Sequence, residues 1–144
     1  MASSRTRVPE HTSDEINRRI RRRTAMNVHY YSQHRDEIPR RLRRLDREWD
    51  IERAIEANAA TLGFLGVMLG ATRDRRWLAL PALVTGFLFQ HAVQGWCPPV
   101  PVLRRLGFRT AFEIEVERQA LKALRGDYGR RAKSGRGALQ SARA

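Results

Sequence analysis

The chain has 144 residues, 28 Lys and Arg against 15 Asp and Glu, a formal net charge of +13, and a single cysteine. That length suits one domain of ordinary size, and the charge calls for an anionic neighbour such as nucleic acid, anionic lipid or an acidic protein. One cysteine excludes an intrachain disulfide framework and an all-cysteine zinc site, and the polar first 40 residues lack the apolar core of a signal peptide.

In chain order, residues 1–12 read as a disordered N-terminus. Residues 13–56 read as an Arg-rich helical arm, since residues 1–56 hold 14 Lys/Arg and 10 Asp/Glu and include the run RRIRRR at 18–23. Thr12 and Glu15 have the spacing of a capping box for a helix around Asp14 to Thr24, with Ile16 and Ile20 one turn apart. The pair Tyr30 and Tyr31, flanked by His29 and His34, is read as packing between the arms. From Pro39 to Glu56, Leu42, Leu45 and Trp49 fall on one helix face. Asp36/Arg40, Glu37/Arg41 and Arg44/Glu48 stand four residues apart as ion-pair neighbours, each worth about 0.2–0.5 kcal/mol. No breaker stands between Pro39 and the glycines, so this helix is expected to run on into the apolar segment that follows.

Residues 57–103 read as a two-helix membrane hairpin, with a buried hairpin of a soluble helical bundle as the alternative; neither apolar segment shows the continuous polar face that a soluble helix of this length should have. Ala57 to Thr72 carries no charge, and its 16 residues rise about 24 Å as a helix, just short of a bilayer core. Borrowing from Ala54 and Ile55 extends it to a span of about 54–72. Arg73 to Arg76 form a tight charged turn, and Trp77 to Leu103 is again free of Asp, Glu, Lys and Arg, giving a second and better span of about 77–97. Pro81 lies in its first turn, where a missing N–H does little damage, and Trp77 and Trp96 stand as interface anchors.

Small residues that let helices approach closely recur as Ala59, Gly63, Gly66 and Gly70 on the first span and Ala82 with Gly86 on the second. Their spacing leaves open whether they meet within one hairpin or between two copies. Gln90, His91 and Gln94 form a polar intramembrane face, expected to meet protein rather than lipid. A lone histidine supplies one ligand, so neither a metal nor a cofactor is expected. Fourteen Lys/Arg precede the first span and eleven follow the second against three in the turn, which places both termini in the cytoplasm. Residues 104–126 read as a cytoplasmic helix opened by Thr110 and Glu113 and closed by Gly126, with Phe112, Val116 and Ala120 along one side. The basic tail 127–144 reads as disordered.

The stretches NVHYYSQH, LDREWDIERAIEANAATLG, RRWLALPALVTGFLFQHAVQGWCPPVPVLRRLGFRT and ERQALKALRGDY resemble the YgaP-like transmembrane domain family, small bacterial inner-membrane hairpins of undetermined function. The hairpin resemblance covers about residues 47–110, and its most specific feature is the turn Gly95, Trp96, Cys97, Pro98. It implies an all-α fold in the bacterial inner membrane. Some members carry a fused rhodanese with a catalytic cysteine, a segment this sequence does not contain.

The prolines at 98, 99 and 101 read first as the place where the span stops and the chain leaves the bilayer. Cys97 at this boundary reads first as a small apolar residue; as the candidate reactive thiol it would have its pKa lowered by Arg104 and Arg105 and take a persulfide, a disulfide partner or a palmitoyl group. No glycine-rich phosphate loop, HExxH or nucleophile elbow occurs, so no enzyme is expected. The leading expectation is a non-enzymatic inner-membrane protein. It would act by self-association or as an accessory of a membrane complex, its basic arms on anionic lipid or a cytoplasmic partner. Two alternatives are a nucleic-acid binder using RRIRRR, RRLRR and RRAKSGR, and a sulfur-relay accessory using Cys97.

Overall fold

The computed structural model describes residues 7–128, and these are all-helical. The helices are α1 (Arg7–Glu10), α2 (Asp14–Gln33), α3 (Ile38–Arg47), α4 (Ile51–Thr72), α5 (Ala79–Gln94), α6 (Pro99–Leu106) and α7 (Ala111–Arg125). Single 3₁₀ turns occupy Arg35–Glu37 and Arg75–Leu78. The basic tail expected to be disordered lies, from residue 129 on, outside the described residues. The described residues form two compact units: those through Ile20 with Trp49–Ala111, and Arg21–Glu48 with those from Phe112 on.

The first unit is built on α4, which begins where Asp50 caps it: the backbone there is extended and the carboxylate accepts the Arg53 N–H at 2.7 Å. Glu48 is also extended, so α3 and α4 are separate helices, and the continuous helix expected from Pro39 onward is broken. A capping side chain offers α4 its own start, and Trp49 is left exposed in the break with the Arg53 guanidinium 4.7 Å over its ring. Val8, Ile51, Ala54, Ile55, Cys97, Val100 and Leu103 make this unit's core. Val8 comes from α1, in a segment expected to be disordered; a single apolar residue buried there fastens the chain from Arg7. The Thr12 hydroxyl donates to the Val8 carbonyl at 2.8 Å, and α2 runs on well past Thr24.

In the second unit, Ile38, Leu42 and Leu45 of α3 pack with Ile114 and Leu121 of α7. Wholly buried Glu117 lies among them, its Oε1 taking hydrogen bonds from Arg41 Nε at 2.8 Å and Asn27 Nδ2 at 3.2 Å. Helix α7 starts after Thr110 and is followed by Gly126 at φ +89°, whereas residues 104–106 of the segment expected as one helix belong to α6. Ile114, Glu117 and Leu121 point inward, and Phe112 and Val116, of the apolar side read from the sequence, are exposed. Arg41 pairs across to Glu117 because a wholly buried carboxylate needs a cation far more than the partly exposed Glu37 four residues away does. Tyr30 stacks on His34, ring centroids 4.2 Å apart, within its own helix end.

Helices α4 and α5 fold back on each other across the short turn, where the Asp74 carboxylate accepts the Arg76 N–H at 2.9 Å. Their lengths reverse the expectation. The first has 22 residues, about 33 Å, whereas the second has 16, about 24 Å. It loses residues at both ends, to the 3₁₀ turn at Arg75–Leu78 and to Gly95, whose φ of +78° ends it in the left-handed region. Among the described residues one stretch, within Arg35–Thr72, is long and apolar enough to cross a membrane by length and composition.

Candidate functional site: the hairpin and its proline-closed end

Small residues divide into two groups by what faces them. A Cβ at Gly66 would collide with the Pro81 ring, and one at Gly70 would lie 2.6 Å from Leu78 Cδ2. Gly66 therefore lets the start of α5, and Gly70 the 3₁₀ turn before it, approach α4 within one chain. Gly63 and Gly86 have nothing within 4 Å of where a Cβ would stand, and Ala82 is exposed. Their faces are open.

Apolar side chains cover the outside of the hairpin. Phe64 is 66% exposed and Phe89 72%, and Leu62, Leu65, Val67, Met68, Leu83 and Val93 are exposed with them. Only 22% of the most apolar window of the long stretch is buried. Trp77 stands exposed at the turn end, and Trp96 is half-buried at the other. Between the helices runs an apolar groove of about 240 Å³, walled by Ile55, Ala59 and Leu62 of α4 and Leu83, Phe87 and Leu88 of α5, and closed by Cys97, Pro98 and Pro99.

The expected polar face splits. Gln90 and Gln94 lie one turn apart and meet at 3.4 Å on the outer side. His91 turns inward and is buried, and neither ring nitrogen makes a hydrogen bond. Arg7 docks at the same end of α5, its Nη1 donating to the Ala92 carbonyl at 2.7 Å, its side chain lying where a Cβ on Gly95 would stand. No group of three His, Cys, Asp or Glu that could hold a metal occurs among the described residues.

Cys97 lies beyond the end of α5, 2% exposed, in the first unit's core. Burial pushes its thiol up, against a smaller opposing effect of the Val100 backbone hydrogen bond, so the lowered pKa expected from Arg104 and Arg105 is not what this environment produces. Arg105 is exposed, and Arg104 is wholly buried and spends its charge elsewhere. The Arg104 guanidinium donates to Thr12 Oγ1 at 3.2 Å, Asn17 Oδ1 at 2.9 Å and the Phe108 carbonyl at 3.2 Å. It fastens α1 and the start of α2 to α6. Neither charge nor period marked Arg104 or Asn17 in the sequence as buried.

The prolines also do more than stop a helix. Pro98 precedes α6 and Pro99 opens it, where proline's fixed φ and missing N–H suit a helix start, and Gly107 at φ +93° ends it. The chain matches no protein-family model, no curated protein and no solved structure.

Proposed function

We propose that this is a non-enzymatic protein of the bacterial inner membrane whose α4–α5 hairpin lies in lipid with both termini on the cytoplasmic side. It acts through self-association or as a small accessory of a membrane complex, its basic arms against anionic lipid. One observation carries the reading: the hairpin is apolar on nearly every side, and many of its large side chains, Phe64 and Phe89 among them, are uncovered. Exposed apolar surface of that extent is unfavourable in water and natural in hydrocarbon. The resemblance of the Gly95–Pro98 turn to YgaP-like hairpins supports the same reading.

Helix α5 is about 6 Å shorter than a hydrocarbon layer of roughly 30 Å. Local thinning or further apolar residues at its ends must make up the difference. Open faces at Gly63 and Gly86 suit close approach of a second hairpin.

Fractionation tests the reading. The protein should pellet with membranes, resist alkaline carbonate and leave only with detergent. Recovery as a monodisperse monomer in detergent-free supernatant, with DNA or RNA bound at low salt, would replace it with the nucleic-acid reading, for which the exposed Arg18, Arg19, Arg21, Arg22 and Arg23 of α2 would supply phosphate contacts.

A further inference from the structure

Helix α6 buries one face and leaves another bare. Val100, Leu103 and Arg104 point into the first unit. On the opposite side, Val102 is 57% exposed and Leu106 71%, as bare as Phe89 of the hairpin at 72%. Pro98 and Pro99, also exposed, continue this face into the apolar groove between α4 and α5.

We propose that α6 is an interfacial foot, seated along the cytoplasmic headgroup layer with Pro99, Val102 and Leu106 dipping toward the acyl chains of anionic phospholipid. The inference rests on the membrane placement of the hairpin and goes beyond it by naming what α6 does. Three observations select lipid as the occupant of this face.

The face begins five residues after α5 ends, so it meets whatever medium surrounds the base of that helix. A helix too short for the hydrocarbon layer needs apolar surface at its end, and the bare face of α6 follows that end in the chain. Its flank is cationic: Arg105 is exposed to one side of the two apolar side chains, and its carbonyl accepts a hydrogen bond from Arg19 Nη2 at 3.0 Å. That bond holds the start of the arginine run of α2 beside α6. Bare apolar residues rimmed by arginine match acyl chains under phosphate headgroups.

The test uses the full chain in vesicles of phosphatidylglycerol and phosphatidylcholine. Spin labels are placed, in a Cys97→Ala background, by Val102→Cys and Leu106→Cys, with Val93→Cys as hydrocarbon reference and Arg43→Cys as water reference. The ratio of collisions with oxygen to collisions with a soluble nickel chelate should be several-fold higher at 102 and 106 than at 43, and lower than at 93. Water-like ratios at 102 and 106 with a lipid-like ratio at 93 would overturn the foot and leave the hairpin standing. Water-like ratios at all four would overturn both. Should Cys97→Ala fail to fold, benzoylphenylalanine at 106 in the chain with its native cysteine decides the matter: crosslinks to phospholipid support the proposal, and crosslinks to protein alone overturn it.

Discussion

At the scale of single residues, the sequence marks charge but not where charge is buried. Arg104 looks like any arginine of a basic segment, yet it is enclosed and bridges Thr12 and Asn17, about ninety residues earlier in the chain. Pairings of that sequence separation leave no periodic trace. A neutral side chain in its place leaves buried acceptors without their donor. Arg104→Leu is expected to cost on the order of 2–3 kcal/mol in detergent-solubilised unfolding, and Arg104→Lys to recover part of that, since one ammonium cannot reach all three acceptors. Equal stability of Arg104→Leu and the native chain would show that the network contributes nothing. Glu52, ahead of the apolar window, gives a prediction of opposite character. Burial raises its carboxyl above the usual value of 4.5, Asp50 adds to this, and Arg7, 4.0 Å away, only partly opposes it. A carboxyl raised on folding stabilises the fold fully below its unfolded pKa and loses that contribution as pH rises through the folded value. Glu52→Gln should therefore gain on the native chain as pH rises from about 4 to about 7. Parallel pH–stability curves for the two proteins would contradict the assignment.

At the scale of elements, what was legible in the sequence is what local chemistry fixes. The charged turn at 73–76, the proline in the first turn of α5, the Thr110 start and the Gly126 stop all follow from capping and backbone rules acting within four residues. The break at Glu48–Asp50 was written in equally local terms, as an Asp three residues before an N–H it can accept, but the apolar run beyond it masked the signal. The inward face of α7 was not legible, because Phe112–Val116 and Ile114–Leu121 are both helical spacings and only α3 decides between them. Glycines separate in the same manner. Gly66→Ala should destabilise the hairpin by about 1–3 kcal/mol through overpacking on Pro81. Gly63→Ala should stabilise by roughly 0.5–1 kcal/mol, since a helix interior prefers alanine and nothing stands in the way. Detergent thermal unfolding compares the two. Bulk distinguishes packing from association further: Gly63→Leu with Gly86→Leu should leave unfolding intact and lower the self-associated fraction seen by crosslinking in membranes, and an unchanged crosslinking pattern would remove these faces from the interface.

For the whole molecule, the two units differ in how far their apolar side chains are covered. The second buries a compact apolar core in which the Glu117 carboxylate is satisfied by Arg41 and Asn27. The first has such a core only around Val8, Cys97 and Val100, where the hairpin ends, and beyond it α4 and α5 carry bare apolar side chains. If that hairpin crosses the membrane, the Lys/Arg count decides which way: fourteen before it and eleven after, against three in the turn, oppose translocation of the arms far more strongly than of the turn. Labelling by a membrane-impermeant maleimide measures this directly in a Cys97→Ala chain. Asp74→Cys in the turn should react in intact spheroplasts, and Ser32→Cys in the arm should react only after the membrane is opened. Reaction at 32 and protection at 74 would invert the topology. Protection of both positions until lysis would place the turn on the cytoplasmic side as well, as expected of a hairpin that dips into the inner leaflet without crossing.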